Sequence, residues 1–206
     1  GFNVFKSRNK LATIVFEESK KELEKFAKYV IQQSRSNLSR DRGNSKYPNR
    51  NNTGALYKSL SYKPEVEKGA MLVQFFMEDY GEFVDQGVKG KSPSSLPEGS
   101  KWSGIQKAPR SPFKFGTRSG KKGGLTKAIN KWTKQKGIKG RDKKTGKFIP
   151  QNTMRYLIIR SIYLAGLRAT LFFSKPFNRG QKKYFNAFAN AFALDIENGI
   201  ILGTKK

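Results

Sequence analysis

Between Lys89 and Lys147 the chain carries eighteen Lys and Arg residues and two acids, Glu98 and Asp142, a net of +16 out of +27 for the whole protein. A stretch so charged cannot bury itself, because its like charges repel and desolvating them is costly. Whatever core the chain builds must come from the flanks, residues 1–88 and 148–206, with the basic segment as an arm inserted between them. Pro93, Pro97, Pro109 and Pro112, then Gly116, Gly120, Gly123 and Gly124, keep much of that arm out of regular structure. One short helix is expected in it at Leu125 to Lys136, where Leu125, Ile129 and Trp132 share a face. So long a connection inside a domain is usually functional or disordered.

The flanks supply apolar periodicity. Asn9 to Leu38 reads as a helix whose stripe is Leu23, Phe26, Ala27, Val30 and Ile31, with Glu17–Lys21 and Glu24–Lys28 as supporting pairs. A polar loop follows from Arg40 to Thr53. Leu56 to Tyr62 and Met71 to Met77 read as an antiparallel hairpin turning at Pro64 to Gly69. Met71, Val73, Phe75 and Met77 share one face, while Leu72 and Phe76 leave the other apolar and in need of cover. Beyond the arm, Asp142 to Lys147 forms a turn at the tip of a small ribbon ending at Phe148-Ile149. Thr153 then caps a helix carrying Met154, Leu157, Ile158, Ile162 and Leu164, and Gly166 ends or bends it. Phe172 and Phe173 lie in an extended piece broken by Pro176. The last helix runs from Arg179 to Glu197 with a stripe of Tyr184, Phe185, Phe188, Phe192 and Ile196, and Asn198-Gly199 caps it. The pattern predicts one α+β domain over residues 1–206. A small antiparallel sheet is packed by a long N-terminal helix and C-terminal helices, with a long extended basic loop at 89–147.

Composition narrows the chemistry. Cysteine and histidine are both absent. That removes disulfides, His/Cys zinc sites, cysteine nucleophiles and imidazole-based triads. No run approaches the roughly 20 apolar residues of a membrane span, so no membrane partner and a cytosol-like compartment are expected. The charge, 42 basic residues against 15 acids, implies a polyanionic neighbour, either nucleic acid or acidic protein.

Four of those few acids, Glu78, Asp79, Glu82 and Asp85, surround one aromatic turn with Tyr80 and Phe83. Paired carboxylates can hold a metal or share a proton. Without histidine or a second acidic cluster, these read instead as solvated acids facing outward while Tyr80 and Phe83 pack inward. No catalytic residue, metal ligand or cofactor site is assigned. The glycines and lysines from Gly116 to Gly124 do not have phosphate-loop spacing. Trp102, Phe113, Phe115 and Trp132 interleave the basic arm. They could stack bases, but anchoring the arm on the body or on a neighbouring subunit is the plainer reading. The arm is too charged to be a core of its own, so Trp102, Phe113 and Phe115 are expected to reach a neighbour. Lys107, Arg110, Lys114, Arg118, Lys121, Lys122, Lys139, Arg141, Lys143 and Lys144 are the candidate contacts to DNA or an acidic partner.

A series of short motifs now stands in order: Thr53-Gly54-Ala55-Leu56-Tyr57-Lys58-Ser59-Leu60, then Asp79-Tyr80-Gly81-Glu82-Phe83-Val84-Asp85-Gln86-Gly87, then a helix at Trp132 before Lys136-Gly137-Ile138. Gly166-Leu167-Arg168-Ala169-Thr170-Leu171-Phe172-Phe173 and an aromatic C-terminal helix complete it. The series resembles the neck, or head–tail joining and tail-completion, proteins of tailed bacteriophages over roughly Thr53 to Leu194. Leu171 stands where proline is common in that family. The resemblance implies a non-enzymatic virion protein, assembled in the host bacterial cytoplasm into a ring of six or twelve copies between portal and tail. Its implied partners are its own copies, the portal and adjoining neck or tail rings, and DNA passing non-specifically through the channel. In such a ring the corner Glu78, Asp79, Tyr80, Glu82, Phe83 and Asp85 would meet the basic arm of the next subunit. A basic nucleic-acid-binding module, architectural or ribosomal in type, is the alternative.

Overall fold

The structure, a computed structural model, describes residues 16–40, 54–67, 70–117, 123–142 and 144–204. Helix α1 spans Glu17–Ser39 and buries Ala27, Val30, Ile31 and Leu38 along the expected stripe. Its surface carries the pairs Lys21–Glu18, Lys25–Glu22 and Lys28–Glu24. Lys21 thus takes Glu18 in place of the expected Glu17. The expected start of this helix before Phe16, and the polar loop beyond Arg40, lie outside the described residues.

The hairpin is real but begins later than its sequence implies. Residues Ala55–Ser59 form a short helix, α2, and β1 is Ser61–Glu67, paired antiparallel with β2, Ala70–Phe76. Leu56 and Leu60 are four residues apart and both buried, so helical spacing serves them as well as alternation would. Pro64, expected in the turn, pairs opposite Val73 inside β1. It is tolerated there because both strands of a two-stranded sheet have a free edge. Arg35 ties the strand entrance to α1, donating from Nη2 to the Leu60 carbonyl at 2.8 Å.

After α3 (Gly81–Gln86) comes β3 (Val88–Lys89), which pairs antiparallel with β4 (Gly166–Leu167). Helix α4 spans Gly124–Gln135 and packs on α5, Gln151–Ala165. The N-cap of α5 is Pro150 and not Thr153, which sits inside the first turn. Helix α6 covers Ser174–Thr204, longer at both ends than its sequence implies. Pro176 lies within its first turn, where a missing N–H costs nothing, and Asn198-Gly199 does not stop it.

The core lies between α1, α2, the hairpin and the start of α6. Ile31, Leu38, Leu56, Leu60 and Phe172 form its centre, with Phe75, Val84 and Phe173 against it. Phe75 makes edge contacts to Phe26, Phe173 and Phe177, so one face of the sheet is sealed by aromatics from α1 and α6. The other face stays bare: Leu72 and Phe76 are each 45 % exposed.

Helices α1 and α6 pack along one another and are also pinned by a buried acid. Asp195, 2 % exposed, accepts from the backbone N–H groups of Glu18 (3.0 Å) and Ser19 (2.8 Å). A residue deep in α6 therefore satisfies the free amides at the start of α1, which no local side chain caps. Burial pushes the Asp195 carboxyl up, but the bonds from Ser19 and Glu18 and the charge of Lys21 outweigh it and hold the group below the usual aspartate range. A depressed folded-state value means the stabilisation is present above the ordinary aspartate pKa and is lost as pH falls through the folded one. Urea unfolding at pH 6 and in acid should therefore show Asp195→Asn costing about 1–2 kcal/mol at pH 6 and much less in acid. A cost that does not shrink in acid would rule out the ionised cap.

Candidate assembly interface

The acidic turn divides its labour. Asp85 does not face outward. It is 4 % exposed, and its Oδ1 accepts from the backbone N–H groups of Phe173 (2.8 Å) and Ser174 (3.3 Å). Its Oδ2 accepts from the Ser174 hydroxyl in a short contact. The carboxylate thus sits on the first turn of α6, where a negative charge offsets the free N–H groups and the helix dipole. The Asp85 carbonyl also accepts from Thr170 (2.9 Å) and Leu171 (2.8 Å). An interface role for this side chain is therefore excluded by its own subunit, which surrounds it.

Gly87 and Gly166 let the two chain segments cross this closely. Gly87 has φ +73°, and a Cβ there would lie 2.5 Å from the Leu167 carbonyl oxygen. Gly166 has φ +92°, and a Cβ there would lie 2.3 Å from the Val88 carbonyl oxygen. Among the described residues, Leu171 is the non-glycine residue with positive φ, +52°. A proline could not take that angle and would lack the N–H that Leu171 gives the Asp85 carbonyl.

The remaining acids behave differently. Glu78, Asp79 and Glu82 are exposed, and among the described residues none forms an ion pair. Glu18, Glu22 and Glu24 of α1 and Glu65 of β1, by contrast, find lysines at Lys21, Lys25, Lys28 and Lys63. Tyr80 and Phe83, expected to pack inward, are more than two-fifths exposed. Leu72 and Phe76 of β2, on the bare sheet face, are exposed apolar residues as well.

The basic segment folds back on its own subunit over its first half. Lys89 and Phe113–Phe115 exchange backbone bonds of 2.8 and 2.9 Å, forming a parallel bridge. Lys91, Ser92 and Lys107 donate to the carbonyls of Tyr163, Leu164 and Ala165 at the end of α5. Gly90 and Gln106 are doubly bonded, and the Ser111 hydroxyl donates to the Gly87 carbonyl at 2.7 Å. Phe113 packs edge-on against Phe83 at 4.5 Å, Phe115 lies against Tyr163, and Trp102 is half-buried beneath Lys101 and Lys107. Of the three aromatics expected on a neighbouring subunit, Phe113 and Phe115 therefore anchor the segment to its own body, and Trp102 packs under lysines of the segment itself. The backbone carbonyls at the end of α5 give a proline-rich irregular segment partners that no periodicity announces.

Of the candidate contacts to polyanions, Arg110, Lys114, Lys139, Arg141 and Lys144 are exposed. Lys107 is half-buried over the Trp102 ring, and burial pushes its ammonium below the usual lysine range. Arg118, Lys121, Lys122 and Lys143 lie outside the described residues. The expected ribbon tip is present: Arg141 bridges Phe148, and Asp142 holds the turn by accepting from the backbone of Lys144 and Thr145, both at 2.8 Å. These amides and the Thr145 hydroxyl hold the Asp142 carboxyl below its usual range. Phe148 is 59 % exposed beneath the Arg141 guanidinium, so the tip presents an aromatic ring framed by cations.

No residue group among those described is arranged to hold a metal ion. No described helix is long and apolar enough to cross a membrane. No family model matches the chain, and neither a curated protein nor a solved structure does.

Proposed function

We propose that this chain is a non-enzymatic virion structural protein, a subunit of a ring of six or twelve copies in the head-to-tail connector of a tailed bacteriophage. In this reading it joins portal to tail around the DNA channel and is assembled in the host bacterial cytoplasm. The observation that carries the reading is the acidic and apolar corner, Glu78, Asp79, Tyr80, Glu82 and Phe83, whose acids form no ion pair among the described residues of a protein of net charge +27. A lone subunit with so many lysines would gain by pairing these acids itself. Exposed beside exposed rings, they suit a cationic, aromatic surface from elsewhere, and the ribbon tip at Arg141 and Phe148 has that chemistry. A contact between two different patches of one chain closes into a ring when its rotation divides the circle. Further apolar surface awaits cover on α6, where Phe185 is 71 % exposed and Phe192, Leu194 and Ile200 follow it. The order of short motifs supplies the phage setting.

Sizing the full chain over a range of concentrations tests the reading. Closed assemblies of one discrete copy number support it. A monomer at every concentration that binds DNA tightly supports the nucleic-acid-binding module instead. In the ring reading DNA contact is weak and blind to sequence, because the exposed lysines supply charge without a base-reading element. Fluorescence anisotropy with labelled duplexes should show affinity falling steeply with salt, at a log–log slope of about −0.9 per phosphate neutralised. A flat salt response, or a marked preference for one sequence, would contradict this expectation.

A further inference from the structure

Where the last turns of α1 meet the first turns of α6, the surface closes around a polar pocket of about 270 Å³. Arg40 at the end of α1, with Lys175 and Arg179 of α6, brings three cations to its wall. Gln33, Asn37 and Thr170 add neutral polar groups, and no carboxylate lines it. Among the described residues none of these three cations forms an ion pair. The amides of Phe173 and Ser174 at the start of α6 are already bonded to Asp85. The pocket's attraction for an anion therefore comes from the cationic side chains that line it and not from the helix end.

We propose that this pocket is a binding site for a phosphoryl group. A single carboxylate can engage one guanidinium through two parallel bonds and would leave the other cations without a partner. A tetrahedral, multiply charged oxyanion directs oxygens several ways at once and can meet two arginines, a lysine and the neutral donors together. The volume lies below the range of pockets that enclose whole drug-sized ligands, which fits one small anionic group. That group is either free phosphate or a backbone phosphate of a polynucleotide, and the chemistry of recognition is shared. The inference stands apart from the ring reading, since a monomer would carry the same pocket.

The test uses the full chain, titrated with inorganic phosphate at constant ionic strength and followed by calorimetry and by thermal unfolding. Acetate is the control anion. Saturable phosphate binding is expected, with no comparable response to acetate. Arg179→Gln and Arg40→Gln should each weaken it about tenfold. Lys175→Gln should weaken it less, and Lys127→Gln, an exposed residue of α4 that does not line the pocket, should leave it unchanged. The substituted side chains are exposed, and circular dichroism checks that each variant stays folded. Non-saturating binding, or binding that Arg179→Gln and Arg40→Gln both retain, would overturn the proposal. A short mixed-sequence duplex then separates the two sources. Greater loss of duplex affinity in Arg179→Gln than in Lys127→Gln assigns a backbone phosphate. Equal loss, with saturable phosphate binding intact in the wild type, assigns free phosphate.

Discussion

Replacing Asp85 with alanine should cost about 3 kcal/mol of stability, although it removes one acid from a cluster of four. The carboxylate accepts from two amides and a hydroxyl at the start of α6, all in a region its own subunit closes off. Alanine leaves those donors without an acceptor and also deletes the negative charge facing the helix dipole. Asparagine keeps one acceptor oxygen and loses the charge, so it should cost about half as much. Ser174→Ala removes one bond and should cost about 1 kcal/mol. Urea unfolding reads all three as shifts in midpoint at unchanged slope. An Asp85→Ala protein within about 0.5 kcal/mol of wild type would show that the cap does not hold α3 to α6.

The same turn explains why a basic chain places acids around an aromatic corner. One of them is structural, fastening residues that lie 88 apart in the chain. The others remain at the surface with Tyr80 and Phe83. Nothing local separates the two kinds. Asp79, Glu82 and Asp85 share a spacing of three, and only the approach of Thr170 to Ser174 decides which is buried. Asp195 presented the same difficulty: it lies on the apolar helix α6, and its partners are 176 and 177 residues away.

What the sequence made legible was periodicity. The stripe of α1, the alternation of β2, the short helix at Leu125 and the ribbon turn at Asp142 all appear where spacing put them. So does the α+β class, with α1 and α6 packed against a two-stranded sheet. Boundaries were less readable, for particular reasons. Leu56 and Leu60 satisfy both a strand and a helical turn. Pro176 reads as a breaker but sits where a helix accepts proline. Residues 89–117 carry no periodicity, because their order comes from backbone bonds to α5, β4 and Gly87 and not from an apolar face.

Reversing the three exposed acids, as Glu78→Lys, Asp79→Lys and Glu82→Lys together, should abolish assembly while leaving the subunit folded. These side chains form no ion pair among the described residues, so their loss removes little internal energy. In the proposed ring each would face a cationic surface, and like charges placed in contact cost several kcal/mol. Multiplied around a ring, that penalty is decisive. Asp85→Ala gives the complementary result, a loss of stability that tracks unfolding. The two variants thus separate the structural acid from those proposed to lie at the interface.

Native mass spectrometry of the wild type beside the triple reversal is the most direct test of the ring contact. The account predicts a single closed multimer for the wild type and a folded monomer for the variant, with the same unfolding midpoint. A variant that assembles like the wild type, or a wild type that stays monomeric while the variant does too, would contradict it.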